Sequence, residues 1–136
     1  MSEKNVKNIK WMKRAIHLAS LGDGKTSPNP MVGAVILDKN GNIISEGFHL
    51  KAGMPHAEAM AFNNLKKDAK GGSMYVNLEP CCHQGKTPPC VEKVINSGIK
   101  KIYILFLCQR ILPYLHMEVF YLDGNKVQDS HTLSHL

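Results

Sequence analysis

Two short segments constrain this chain more than anything else in it. One is His56-Ala57-Glu58. The other is Pro80-Cys81-Cys82-His83-Gln84-Gly85-Lys86-Thr87-Pro88-Pro89-Cys90. Together they hold a histidine, a glutamate and the pair Cys81 and Cys90, with eight residues between the two cysteines. One imidazole and two thiolates are zinc donors. Three protein ligands with a fourth position left to water make a catalytic centre, and four protein ligands make a structural one. The fold must bring these two segments together.

The chemistry available to such a set is specific. Zinc takes deprotonated thiolates and a neutral imidazole. Once bound it lowers the pKa of its water toward about 7. Glu58, two residues from His56, is suited to take the proton of that water. It can then serve as proton carrier to a ring nitrogen and, with a second proton, to departing ammonia. A nucleophile, a proton carrier and a Lewis acid are what hydrolytic deamination requires. A closed structural site is the alternative, because Cys82 or His83 can supply a fourth ligand. The Pro-Cys context and the carboxylate beside His56 fit an open site better. Cys82 reads as a small neighbour of the site, and His83 as a pocket or solvent-facing turn residue. Cys108 reads as an inert apolar residue.

With 136 residues the chain has room for one domain and its core. No apolar window approaches the length of a membrane span, and no membrane partner is expected. The N-terminal residues lack the apolar core of a signal peptide, so a cytoplasmic location is expected. Four cysteines in that setting argue for metal or catalysis rather than disulfides. The net charge of +6 fits either a solvated lysine-rich surface or attraction of an anionic ligand. No stripe of aromatics interleaved with basic residues supports a nucleic-acid partner.

The remaining pattern is that of an α/β scaffold. Ile9, Met12, Ala15, Ile16 and Ala19 recur at helical spacing, so a first helix is expected over about 5–21, ended by Gly22 and Gly24. Thr26-Ser27-Pro28-Asn29-Pro30 reads as an extended, stiff loop in which Asn29 either merely connects or bonds a substrate. Met31 to Leu37 reads as a buried strand, turned by Asn40-Gly41 into a second strand over 43–50, with His49 near its end. A helix is expected from His56 to about Ala69, with Met60 and Leu65 on its apolar face, and Glu58 falls in its first turn. A third strand over 73–78 should lie parallel to a neighbour. A helix from about Thr87 to Ser97 and a fourth strand over 101–107 follow. Beyond Leu107 the pattern degrades. A short strand is expected over 117–122, and a polar, frayed end from Asp123 on.

These segments carry a resemblance. The His-x-Glu and Pro-Cys signature is that of zinc deaminases. The chain resembles, more closely, the deaminase domain of the bifunctional riboflavin-biosynthesis deaminase/reductase. The resemblance rests on Thr26-Ser27-Pro28-Asn29-Pro30-Met31-Val32-Gly33-Ala34-Val35, Gly47-Phe48-His49, Pro55-His56-Ala57-Glu58-Ala59 and Leu78-Glu79 through Cys90. The eight-residue gap and the Thr-Pro-Pro-Cys ending mark this branch; cytidine and tRNA adenosine deaminases usually have a two-residue gap. The resemblance implies a cytidine deaminase-like three-layer α/β/α fold with a mixed central sheet. It implies zinc on His56, Cys81 and Cys90, with Glu58 as proton shuttle. The implied substrate is a small phosphorylated pyrimidine, a diaminopyrimidinone bearing a phosphoribosylamino group. Its ring amine is hydrolysed to a carbonyl with loss of ammonia. Asn29, His49 and Lys86 match positions that hold this substrate, His49 and Lys86 being candidates for its phosphate. Such domains tend to associate, so a homo-oligomer is an expectation the resemblance carries.

The resemblance covers about 10–104. Phe106 onward matches nothing of the family pattern, as a frameshift or truncated gene would leave it. The expected organisation is a deaminase domain over 5–107 and a divergent tail over 108–136, with no reductase domain and no NADPH use. An open sheet edge after the fourth strand is also expected. Two alternatives remain: a deaminase of another nucleotide or of an RNA base, and an inactive zinc-binding remnant.

Overall fold

Gly33-Ala34-Val35-Ile36-Leu37 is buried without interruption, as a strand covered on both faces must be. This is β1 (Gly33–Leu37), at the heart of a computed structural model that describes residues 3–78, 90–106, 118–123 and 126–129. The other elements are α1 (Glu3–Ser20), β2 (Ile43–Phe48), α2 (Ala57–Asn63), β3 (Ser73–Leu78), α3 (Cys90–Asn96), β4 (Lys101–Phe106), β5 (Glu118–Asp123) and β6 (Lys126–Asp129). The strands form one sheet in the order β2-β1-β3-β4-β5-β6. β1 is antiparallel to both β2 and β3, β3-β4-β5 run parallel, and β6 returns antiparallel. The sheet is therefore mixed, as expected.

Alternation along the strands divides the core into two layers. Ala34, Ile36, Met74, Val76, Ile102 and Ile104 pack with Ala57, Ala61 and Val94 on the side of α2 and α3. Val35, Leu37, Tyr75 and Tyr103 pack with Met12, Ala15 and Leu18 of α1 on the other. Helices on both faces of one sheet make the three-layer α/β/α fold. On the α1 side the Tyr75 and Tyr103 rings stack at 4.4 Å. Burial first, and then Tyr103, push the Tyr75 phenol well above its ordinary range, and its hydroxyl donates to Oδ1 of buried Asn8. Two glycines admit the helices to the sheet. A Cβ on Gly33 would run into the Ala15 carbonyl and the Ala19 amide of α1. One on Gly47 would strike the Ala57 carbonyl and the Ala61 amide of α2. The buried Ser45 hydroxyl, donating to the Ala61 carbonyl, fixes α2 further.

Several expectations need correction. Ile16 is 43% exposed, and Leu18 takes its place in the α1 interface. Residues 21–29 form successive turns rather than an extended loop, with the Asn29 amide bonded to the Thr26 carbonyl at 2.7 Å. α2 ends at Asn63, short of Ala69, because the chain turns to cover the outer edge of β2. There the Lys66 amide bonds the Ile44 carbonyl and Asn64 Nδ2 bonds the Glu46 carbonyl. β3 is parallel to β4, as expected, yet antiparallel to β1 on its other side. The strand expected over 117–122 is β5. The segment expected to fray supplies β6, and together they cover the edge of β4 that was expected to lie open. Among the described residues no helix is long and apolar enough to cross a membrane.

Candidate active site

The sheet register brings the described part of the expected site to one end. Gly33 at the start of β1 faces Phe48 at the end of β2, and Ala34 faces Val76 near the end of β3. Asn29 lies just before the first of these points and His49 just after the second. The Glu79–Pro89 connection leaves from the third. The crossovers then return from this end, so α2 and α3 both begin there. His56 is the N-cap of α2 and Cys90 the first residue of α3.

Three of the expected side chains meet. The His49 and His56 rings pack edge to face, 5.3 Å between centroids. His49 is only 2% exposed, with Nδ1 3.1 Å from the Pro55 carbonyl and Nε2 3.2 Å from Asn29 Nδ2. A carbonyl oxygen only accepts, so Nδ1 carries the proton and Nε2 accepts from the Asn29 amide. That arrangement uses an N–H of Asn29 on the protein and reserves its Oδ1 for other partners. The His56 backbone is extended and its side chain makes no capping bond. Glu58, in the first turn of α2, is 3% exposed. The unpaired amides of a first turn favour a carboxylate.

Cys81, Cys82, His83, Lys86 and Cys108 lie outside the described residues, as does the side chain of Cys90. Among the described residues no group of three or more His, Cys, Asp or Glu is placed to hold a metal. The donor types still suit zinc. An imidazole and a buried carboxylate stand at the head of α2, and a cysteine opens the neighbouring helix head at the same end of the sheet.

Asn77 was missed by the sequence reading. Its Oδ1 accepts the Gly33 amide at 2.8 Å and its Nδ2 donates to the Met31 carbonyl at 3.1 Å, tying β3 to the segment that follows Asn29. The available signal was an amide inside an otherwise apolar run, Met74-Tyr75-Val76-Asn77-Leu78.

The fold and the head of α2 define a zinc-dependent deaminase domain, and the chain belongs to that family: the model of the cytidine and deoxycytidylate deaminase zinc-binding region matches residues 5–106. The family's cofactor is zinc. Within it, the chain is similar to the riboflavin biosynthesis protein RibD of Actinobacillus pleuropneumoniae, 52% identical over 103 residues, covering 76% of this chain and 27% of that protein. It is also similar to the diaminohydroxyphosphoribosylamino-pyrimidine deaminase of Buchnera aphidicola, 52% identical over 94 residues, covering 69% of this chain and 63% of that one. Among solved structures, RibD of Acinetobacter baumannii superposes with a TM-score of 0.70 at 46% identity, over 74% of this chain and 28% of the other. The chain thus spans about a quarter of the RibD proteins it matches.

Proposed function

We propose that this chain hydrolyses the ring amine of a diaminopyrimidinone carrying a phosphoribosylamino group, releasing ammonia, as a deaminase of riboflavin synthesis. The observation that carries this reading is the packing of Asn29, His49 and His56 at the sheet end where Glu58 is buried. The relatives' names supply the substrate class. His56, Cys81 and Cys90 would hold the zinc, which when bound acidifies water and polarises the carbon under attack.

The protein's own residues do the rest. Glu58 takes one proton from water and passes it to the ring nitrogen; it then takes the second from the new hydroxyl on the attacked carbon and passes it to the leaving amine, so that the C–N bond breaks as the carbonyl forms. Burial of its carboxylate favours that traffic over loss to solvent. Asn29 offers Oδ1 to a hydrogen-bond donor on the substrate. Both ring nitrogens of His49 are engaged with the protein, so its service to the substrate runs through the orientation of Asn29. Lys86 is then the candidate partner of the phosphate. We assign this unit to residues 5–107, acting in the cytoplasm.

The test is Glu58→Gln. Ammonia release should fall by about a hundredfold or more, while zinc remains at about one per chain. Persistence of turnover would refute the role of Glu58, and a wild-type protein that binds zinc without turnover would refute the activity.

A further inference from the structure

The backbone just after Asn29 is clamped residue by residue. The Met31 carbonyl is held by Asn77 Nδ2, the Val32 carbonyl by the His49 amide at 3.0 Å, and the Gly33 amide by Asn77 Oδ1. The ladder between β1 and β3 begins only at Ala34 and Val76. Strand pairing with β3 therefore does not reach Met31, and a side-chain amide continues the connection where the ladder stops. An amide suits this task because it places an acceptor and a donor on one rigid plane, so a single residue satisfies two backbone groups of opposite kind. Asn77 is one residue from the end of β3, where the connection bearing Cys81 departs.

We infer that Asn77 is a positioning residue for substrate binding, fixing the backbone that follows Asn29 against the C-terminal end of β3. It acts through Asn29 and touches no reacting atom. The role rests on the proposed deaminase reading for its substrate. The clamp itself does not depend on that reading, and the two are separately testable.

The experiment uses the zinc-loaded full chain and its Asn77→Ala and Asn77→Asp variants. The readouts are zinc content, amide hydrogen exchange, KM and kcat. In Asn77→Ala zinc stays bound, while exchange at Gly33 accelerates by about tenfold or more as its protecting acceptor is lost. KM for the diaminopyrimidinone ribose-phosphate rises about tenfold, with kcat within about threefold, as expected when only ground-state positioning is lost. Placed in an Asn29→Ala background, Asn77→Ala changes KM by less than about twofold, because the residue it positions is gone. Asn77→Asp is isosteric and keeps the acceptor for Gly33. It retains Gly33 protection and still raises KM, and it decides the matter should the alanine variant not fold. Unchanged exchange at Gly33 in Asn77→Ala overturns the clamp. Additive KM effects with Asn29→Ala overturn the route through Asn29. Loss of zinc or of kcat at constant KM overturns the assignment in favour of service to the metal-bearing connection. If the wild type fails to turn over the substrate, the functional reading fails while the exchange data still decide the clamp.

Discussion

Replacing Gly47 with alanine tests whether the sheet dictates where the N-terminal end of α2, with His56 and Glu58, sits. The added methyl would meet the Ala57 carbonyl, the Ala61 amide nitrogen at 2.5 Å and the Met60 carbonyl carbon at 3.0 Å. All three are backbone atoms of α2, so no side-chain rotation relieves the clash. Ordinary contact begins near about 3.5 Å, so the helix must recede from β2 by about 1 Å. The Ser45 bond to the Ala61 carbonyl stretches with it. Overpacking of this kind costs about 1–3 kcal/mol, or about 4 °C or more in Tm for a chain of this size. The same shift carries His56 and Glu58 away from β3, and misplacement by about 1 Å lowers turnover by about a hundredfold. Thermal melting by circular dichroism reads the first effect, and ammonia release per bound zinc reads the second. Gly41→Ala is the control. Gly41 sits at φ 86 with open space around it, so alanine there costs about 1–2 kcal/mol of backbone strain and leaves turnover per zinc unchanged. Wild-type melting and turnover in Gly47→Ala would refute the argument, and so would equal loss of turnover in both variants.

Three further outcomes follow from the scaffold. Tyr75→Phe strips the buried Asn8 of its donor and should cost about 1–3 kcal/mol in urea unfolding, part of it recovered when Asn8→Leu is added. Asp38 Oδ1 accepts the Asn40 and Asn42 amides at 2.9 Å, and these bonds, that of Asn42 foremost, hold its carboxyl below the usual range. The folded state therefore binds the Asp38 proton less readily than the unfolded chain. Its stabilisation is present above the unfolded pKa and is lost as pH falls through the folded one, so melting of Asp38→Asn should decline less than wild type between about pH 5 and about pH 2. Ending the chain after Leu107 removes β5 and β6 and opens the edge of β4; size-exclusion chromatography should show aggregation absent from the full chain.

Much of this was legible in the residues. The apolar run Met31–Leu37 announced a strand buried on both faces, although the strand begins at Gly33 rather than at Met31, which is 42% exposed, and Asn40-Gly41 announced the turn after it. Gly98, at φ 79, marked the stop after α3. What failed was decided by contacts distant in sequence. Leu65 continued the helical period of α2, but the chain left the helix at Asn64 to bond the free carbonyls of β2. Ile16 shared the spacing of Met12 and Ala19, yet α1 presents Leu18 to the sheet instead. β6 carries a single apolar residue, Val127, and so had no period to read. The Asp123-Gly124 pair before it was a hairpin signal that went unused.

The site shows the same division. The candidate donor types were visible in the sequence because their chemistry is restrictive: His, Glu and a spaced pair of Cys are the donors and the base that a zinc deaminase uses. The supporting contacts were not, because an asparagine in a strand looks the same whether it faces solvent or clamps a neighbouring backbone. Register resolves the difference. With β1 antiparallel to β3, the start of one strand lies beside the end of the other, and a residue at position 77 comes within reach of residues 31 and 33. Parallel pairing would have put the start of β1 at the opposite end of the sheet from the connection carrying Cys81. The antiparallel insertion of β1 beside a parallel β3-β4-β5 set is therefore what lets Asn29, His49 and His56 share one end of the sheet.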